Sequence, residues 1–312
     1  MENIISKIKA RITRDRRKAI RHFIVDKALG ENKKKVSRDK RWMMVDLYEN
    51  IKKMDKSFRF AECNGTELII KGDYLNAVVK IDNPAVFYEI FADNFYDLPK
   101  YLPVGSAPYS VIDMGANRGF SVLLFGKQPH CRKVYAFEPV ASTYNTLLQN
   151  IKLNPDIETK VVPFNYGLGD KDEIKEFFTL EITDSVSTTD ISFIESFLPT
   201  LVDQVIPVKC EIKQASSLLR EVLKENQDRL VIKIDVEGAE YAIFEDLAAN
   251  YPELFRQTDV IFAETHLGFE RLHQTIKSLN LNFQLDHVFT NGNNVHMLTY
   301  VKQDRTRSEE HT

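Results

Sequence analysis

From Tyr109 onward the chain alternates short apolar runs with segments whose apolar positions fall at helical spacing. Residues 110–114, 133–138 and 160–166 read as strands, with helices over 120–126 and 143–151 between them. In the second helix Tyr144, Leu147, Leu148 and Ile151 stand at i, i+3, i+4 and i+7, and Asn154-Pro155 stops it. Residues 230–235 and 259–264 are two further buried strands, the latter leading into a helix with Phe269, Leu272, Ile276 and Leu279 at the same spacing. Strands and helices in this order require a parallel sheet with right-handed crossovers. At the end the period changes. Residues 283–289 and 295–301 are strands joined only by Asn291-Gly292-Asn293-Asn294, too short for a parallel crossover, so they form an antiparallel hairpin. The expected fold is α/β: a Rossmann-like, seven-stranded mixed sheet with one reversed strand.

Upstream of the sheet the pattern is that of an extension with helices and a β-hairpin. Between residues 56 and 84, Phe58 and Phe60 are followed by Asn64-Gly65, then by Leu68, Ile69 and Ile70, then by Val78, Val79 and Ile81. Asn-Gly between apolar runs is a hairpin signal. A helical stretch over 86–95 comes next, and Pro99, Pro103, Gly105 and Pro108 punctuate a linker. The expected divisions are a basic helical arm over 1–45, a hairpin and helix cap over 46–108, a ligand-binding domain over 109–303, and a polar tail over 304–312.

Charge sharpens this division. The chain sums to -3, yet residues 1–41 carry 15 Lys/Arg against 5 Asp/Glu, or +10, which leaves -13 for residues 42–312. If 4–24 is helical, Ile5, Ile8, Ile12, Ala19, Ile20 and Phe23 share one side, interrupted by Arg16, with Lys7, Lys9, Arg11, Arg14 and Arg17 around the rest. Such an arm suits an anionic membrane surface or an acidic partner, or packs as a solvated helix on its own acidic body. It lacks the interleaved aromatics that stack on bases, so nucleic acid is not the expected partner.

Composition adds exclusions. With 43% apolar residues, 12 Gly and 11 Pro, the chain is globular rather than collagenous or disordered. Cys63, Cys131 and Cys210 are an odd number without CxxC spacing, so they encode neither a disulfide framework nor a zinc finger. No run approaches the roughly 20 apolar residues of a membrane-spanning helix, and no secretory signal opens the chain. The expected location is the cytoplasm, with the arm allowing peripheral contact with a membrane.

The candidate chemistry stands at the carboxyl ends of the predicted strands, where open α/β sheets bind ligands. The first strand ends in Asp113-Met114-Gly115-Ala116-Asn117-Arg118-Gly119, a D-x-G-x-x-x-G loop entering a helix. Nineteen residues beyond Gly119 the second strand ends in Glu138, placed to accept both hydrogens of a ribose diol. Dinucleotides and S-adenosylmethionine both fit such an acid. The loop favours the latter: it lacks the third glycine of a pyrophosphate fingerprint, and it sets a carboxylate where a cationic ligand would lie. The fourth strand ends in Lys233-Ile234-Asp235-Val236-Glu237-Gly238-Ala239-Glu240, and the fifth in Glu264-Thr265-His266. His266 is the first choice of general base, since an ordinary imidazole titrates near neutral pH, and Asp235 is the second. Asp235, Glu237 and Glu264 offer hard oxygen ligands for Mg2+ as an alternative way to acidify a diol.

Together the strings 113–121, Phe137-Glu138-Pro139, Gly167-Leu168-Gly169-Asp170 and 233–240 resemble the FkbM-type methyltransferases, over roughly residues 109–302. The resemblance implies a class I, S-adenosylmethionine-dependent enzyme that methylates hydroxyl oxygens on sugars or related metabolites. It implies that Asp113, Gly115, Asn117 and Gly119 form the cofactor loop, that Glu138 holds the ribose, and that Gly167 and Leu168 line the adenine. Asp235 and Glu237 would face the methionine end or the acceptor. Ala215-Ser216-Ser217-Leu218 departs from the family's usual Leu-Asp-Asp-Leu run. The alternatives are an NAD(P)-dependent oxidoreductase and a non-catalytic module of the same fold. Residues 181–207, rich in Ser and Thr, are expected either as a mobile cover over the acceptor or as a connecting helix.

Overall fold

The computed structural model describes residues 19–81, 84–91, 95–102, 107–180, 183–188, 191, 194–195, 199–266, 268–291 and 295–303. They fall into two units, Met1–Asp93 and Asn94–Thr312. In the first, residues 19–29 form a helix, Gly30–Lys35 a 3-10 turn and Arg38–Met54 a second helix. The Ser37 hydroxyl caps that second helix by accepting from the Lys40 N–H, and Met44, Leu47 and Ile51 repeat along its buried side. Residue 45, the expected end of the arm, lies inside this helix. Of the helix expected over 4–24, residues 1–18 lie outside the described residues and 19–24 are helical. Three antiparallel strands follow, β1 (Arg59–Cys63), β2 (Glu67–Lys71) and β3 (Asn76–Lys80). The turn between β1 and β2 is the Asn64-Gly65 pair: Asn64 Oδ1 accepts from the Thr66 and Glu67 N–H groups at 3.0 and 2.7 Å, and Gly65 takes φ +102°. The helix expected over 86–95 runs Ala85–Phe91.

The second unit is built on β4 (Tyr109–Met114), β5 (Cys131–Phe137) and β6 (Val161–Phe164), then β7 (Gly167–Gly169), β8 (Glu173–Leu180), β9 (Thr183–Thr188) and β10 (Val205–Gln214), and last β11 (Arg229–Ile234), β12 (Thr258–Thr265), β13 (Phe283–Asn291) and β14 (Val295–Lys302). Seven of these make one sheet in the order β13-β14-β12-β11-β4-β5-β6. β14 pairs antiparallel with both neighbours, while β12, β11, β4, β5 and β6 run parallel. This is the mixed seven-stranded Rossmann-like sheet with one reversed strand that the periodicity predicts. Its central strands are covered on both faces, which is why they read as continuous apolar runs. On one face Ile112, Ile232, Ile234 and Ile261 pack with Phe244, Leu247, Leu272 and Ile276. On the other, the Tyr96 ring packs against those of Phe125 and Phe262, with centres 5.8 and 5.6 Å away. Strand order reverses between β4 and β11, so a crevice opens beyond their carboxyl ends.

A second sheet, β7-β10-β8-β9, is what the sequence conceals. Within the segment expected as a mobile cover or a connecting helix, 181–207, the described residues hold β9, helical residues at 191, 194 and 195, a 3-10 turn at Pro199–Gln204 and the start of β10. The Thr-Asp-Ser-Val-Ser-Thr run of β9 has few apolar residues, so its strand character rests on hydroxyl and β-branched propensity alone. Residues 304–312 lie outside the described residues. Among the described residues no helix is long and apolar enough to cross a membrane.

Candidate active site

The loop after β4 is held from three sides. Gly115 and Ala116 donate their N–H groups to Phe137 O at 3.1 and 2.9 Å, which fastens the loop to the end of β5. Asn117, at φ +50°, donates its N–H to Glu138 Oε2 at 3.0 Å, and Val140 N–H reaches the other oxygen, Oε1, at 2.8 Å. The Glu138 carboxylate is thus oriented by two backbone donors and lies directly against the loop. Asn150, fully buried on the helix Ala141–Lys152, donates Nδ2 to Arg118 O at 2.8 Å and closes the third side. Gly119 takes φ +84°, and a Cβ there would stand 2.3 Å from Leu147 Cδ1. Gly167 adjoins the same corner, since its Cβ would lie 3.4 Å from Pro139. Leu168 turns inward, its side chain part of the core with Ile112 and Phe137.

Beneath the loop is a buried charge pair. Lys233 Nζ lies 3.2 Å from Asp113 Oδ1 and 3.9 Å from Asp235 Oδ2, and donates to Gly115 O at 2.6 Å. Asp113 is 0% exposed and its other oxygen accepts from Ser121 Oγ at 2.6 Å. This corrects the expectation that Asp113 presents its charge to a cationic ligand: the charge is neutralised by Lys233 below the loop. Burial pulls the Lys233 ammonium down, but Asp113 and Asp235 outweigh it and hold its pKa above the ordinary lysine value, so it stays charged. Lys233 also lies 6.0 Å from the Tyr96 ring centre. Neither Lys233 nor Tyr96 carries a role expected from sequence, although a lysine between Ile232 and Ile234 in an apolar strand is a signal that a buried partner exists.

The strand ends of β11 and β12 supply the rest. Asp235 N–H donates to Met114 O at 3.1 Å, and a Cβ on Gly115 would stand 1.8 Å from Asp235 O, so the two loops meet with no room for a side chain. Glu237 adopts φ +54° and Gly238 φ +104°, which turns the chain back toward the helix Glu240–Asn250. Glu240, fully buried, accepts from Gly238 N–H and His266 N–H, both at 2.8 Å, and faces His266 Nδ1 at 3.3 Å. His266 Nε2 lies 3.4 Å from Glu237 Oε2 and 3.7 Å from Glu264 Oε1. Burial alone would pull the imidazole below its ordinary 6.5, but the hydrogen bond to Glu240 and the charges of Glu237, Asp235 and Glu240 push its pKa up to about 10. The raised pKa favours the cationic imidazole, whereas the expected general base would act from the neutral ring. For a metal ion, the ligand atoms gathered within 4.8 Å are those of Asp235, Glu237 and His266 rather than the oxygen-only set with Glu264.

The family of the methyltransferase FkbM domain matches residues 113–288, more than half of the chain. The chain belongs to the FkbM methyltransferase family. Methyltransferase sdnD of Sordaria araneosa is 29% identical over 231 residues, which is 62% of this chain and 81% of that protein. Among solved structures, the methyltransferase FkbM of Methylobacillus flagellatus KT matches 83% of this chain at 13% identity and a TM-score of 0.42, and this chain spans 59% of it. The TYW2 of M. jannaschii in complex with AdoMet matches 76% of this chain and 85% of its own at 15% identity and a TM-score of 0.38. This chain is accordingly an S-adenosylmethionine-dependent methyltransferase, and its donor set fits that cofactor. A carboxylate fixed against a glycine-bearing loop suits a ribose diol, and when bound the cofactor supplies a methyl group activated by its sulfonium.

The buried charges of the FkbM methyltransferase should be visible in its stability. Lys233→Met leaves Asp113 buried without its counter-ion and should lower unfolding free energy by about 3–5 kcal/mol in urea titrations. A loss under about 1 kcal/mol would show that the pair carries little of the fold. Because the His266 pKa is raised from 6.5 to about 10, the stability it contributes is whole below about 6.5 and is lost as pH climbs toward about 10. The stability gap between the parent protein and His266→Gln should therefore be widest at acid to neutral pH and narrow toward alkaline pH. A gap that does not change with pH would mean that folding leaves the imidazole pKa unshifted.

Proposed function

We propose that this methyltransferase transfers the methyl group to a hydroxyl of a sugar, glycan or related metabolite, with Asp235 as the proton acceptor. The observation that carries the proposal is the ring of carboxylates at the ends of β11 and β12. Asp235, Glu237 and Glu264 surround His266, and Asp235, its side chain 31% exposed, is the most open of the three. Carboxylates accept hydrogen bonds from adjacent hydroxyl groups, so a polyol is the acceptor class they suit. Asp235 stands at the join between the two loops, where its carboxylate can take the acceptor's proton. Its negative charge is held in place by Lys233 at 3.9 Å. His266 lies beside both Glu237 and Glu264, where a positive charge limits their mutual repulsion. The residues of the donor side, Gly115, Asn117, Gly119 and Glu138, then serve to fix the cofactor so that acceptor oxygen, methyl carbon and sulfur come into line.

Two substitutions test the two halves separately. Asp235→Asn should lower kcat for isotope-labelled methyl transfer to a polyol acceptor by about 10²–10⁴-fold, with adenosylhomocysteine affinity little changed. Unaltered kcat would remove Asp235 from proton transfer. Glu138→Ala should weaken adenosylhomocysteine binding by about 1.5–3 kcal/mol, the worth of a charged hydrogen-bond acceptor. Unaltered affinity would remove Glu138 from the ribose. Running the same transfer with a chelator distinguishes the alternative in which Mg2+ at Asp235 and Glu237 acidifies the acceptor: activity lost on chelation and restored by Mg2+ would favour it.

A further inference from the structure

The helix over residues 19–29 has two dissimilar faces. Val25 and Leu29, nearly inaccessible, face inward, and two ion pairs fasten the helix to Arg38–Met54: Arg21 to Glu49 at 2.7 and 2.9 Å, and Asp26 to Arg41 at 2.9 Å. Burial of Val25 and Leu29 sets which side of the helix faces inward, and the two ion pairs flank it. That side carries Ile20, Phe23 and Ile24, which are 59%, 69% and 40% exposed, together with the exposed Lys27. Positions 20, 23, 24 and 27 are i, i+3, i+4 and i+7, one continuous stripe. A Phe and two Ile held out in water are an interaction surface unless they lie scattered, and these are contiguous.

We propose that this stripe docks the protein on an anionic lipid bilayer, with Ile20, Phe23 and Ile24 entering the headgroup boundary and Lys27 remaining at its polar level. Charge argues for this occupant. Residues 1–41 sum to +10 and residues 42–312 to -13, so an anionic surface attracts the first segment and repels the body that follows. The 3-10 turn after the helix adds Lys33, Lys34 and Lys35, none of them buried. A convex stripe of large apolar side chains beside lysines also matches the shape requirement: it penetrates a deformable surface and needs no complementary pocket.

The full chain should sediment with vesicles of phosphatidylcholine containing about 30% phosphatidylserine, and not with pure phosphatidylcholine, with binding falling as NaCl rises from about 0.1 M to about 0.5 M. The variant Ile20→Ser/Phe23→Ser/Ile24→Ser should bind the anionic vesicles about tenfold more weakly, and Lys33→Glu/Lys34→Glu/Lys35→Glu should do the same. The adenosylhomocysteine-stabilised melting temperature checks that both variants are folded. Absence of binding to anionic vesicles by the parent protein overturns the proposal, as does binding that the triple-serine variant retains in full. Capture on immobilised polyglutamate without vesicle binding would assign the stripe to an acidic protein and overturn it equally.

Discussion

The site depends on one buried ion pair, Lys233 with Asp113. These residues sit opposite each other on the two central strands, β11 and β4, in register at the level where strand order reverses. Two charges removed from water are costly unless each finds several partners. Here Asp113 has Lys233 and Ser121, and Lys233 has Asp113, Asp235 and the carbonyl of Gly115. The pair therefore ties together the strand beneath the cofactor loop, the loop itself and the first carboxylate of the acceptor side. Its geometry is transmitted upward by the contact of Gly115 with Asp235 O, where not even a methyl group fits.

Above that floor the two halves of the site hold their charges differently. On the donor side a single carboxylate, Glu138, is fixed at both oxygens by backbone N–H groups. At the ends of β11 and β12 four carboxylates, Asp235, Glu237, Glu240 and Glu264, crowd one imidazole. Such a cluster is tolerable because Glu240, the innermost, is stabilised by two backbone donors and by the proton that the cluster itself keeps on His266. The histidine is thus a product of its surroundings, and its charge follows from how many acids meet there.

Much of this architecture is written in the chain's periodicity. The alternation of strand and helix, the terminal hairpin and the Asn64-Gly65 turn are local signals with strong physical causes, and all appear in the structure. The turns at Gly115 and Gly119 and the placing of Glu138 against that loop are legible too, since both stand at the ends of expected strands. What sequence could not show is which side chains share a floor. Lys233 and Asp113 are 120 positions apart, and nothing local to either announces the other. The protonation of His266 is equally non-local, since Glu240 and Glu237 reach it from a different strand end. The second sheet leaves little trace in the sequence because β8 to β10 alternate charged and apolar residues irregularly, and β9 has almost no apolar residue to set a period.

Glu237 occupies a backbone conformation that glycine adopts freely and that carries a penalty of order 1 kcal/mol for a residue with a side chain. Main chain and side group therefore ask for different amino acids at the same place: the bend wants no Cβ, while His266 faces a carboxylate there. A version of this chain optimised for heat resistance alone would resolve the conflict in favour of the bend, and would lose one of the acids beside His266. Backbone comfort and the charge balance around His266 compete at this single residue.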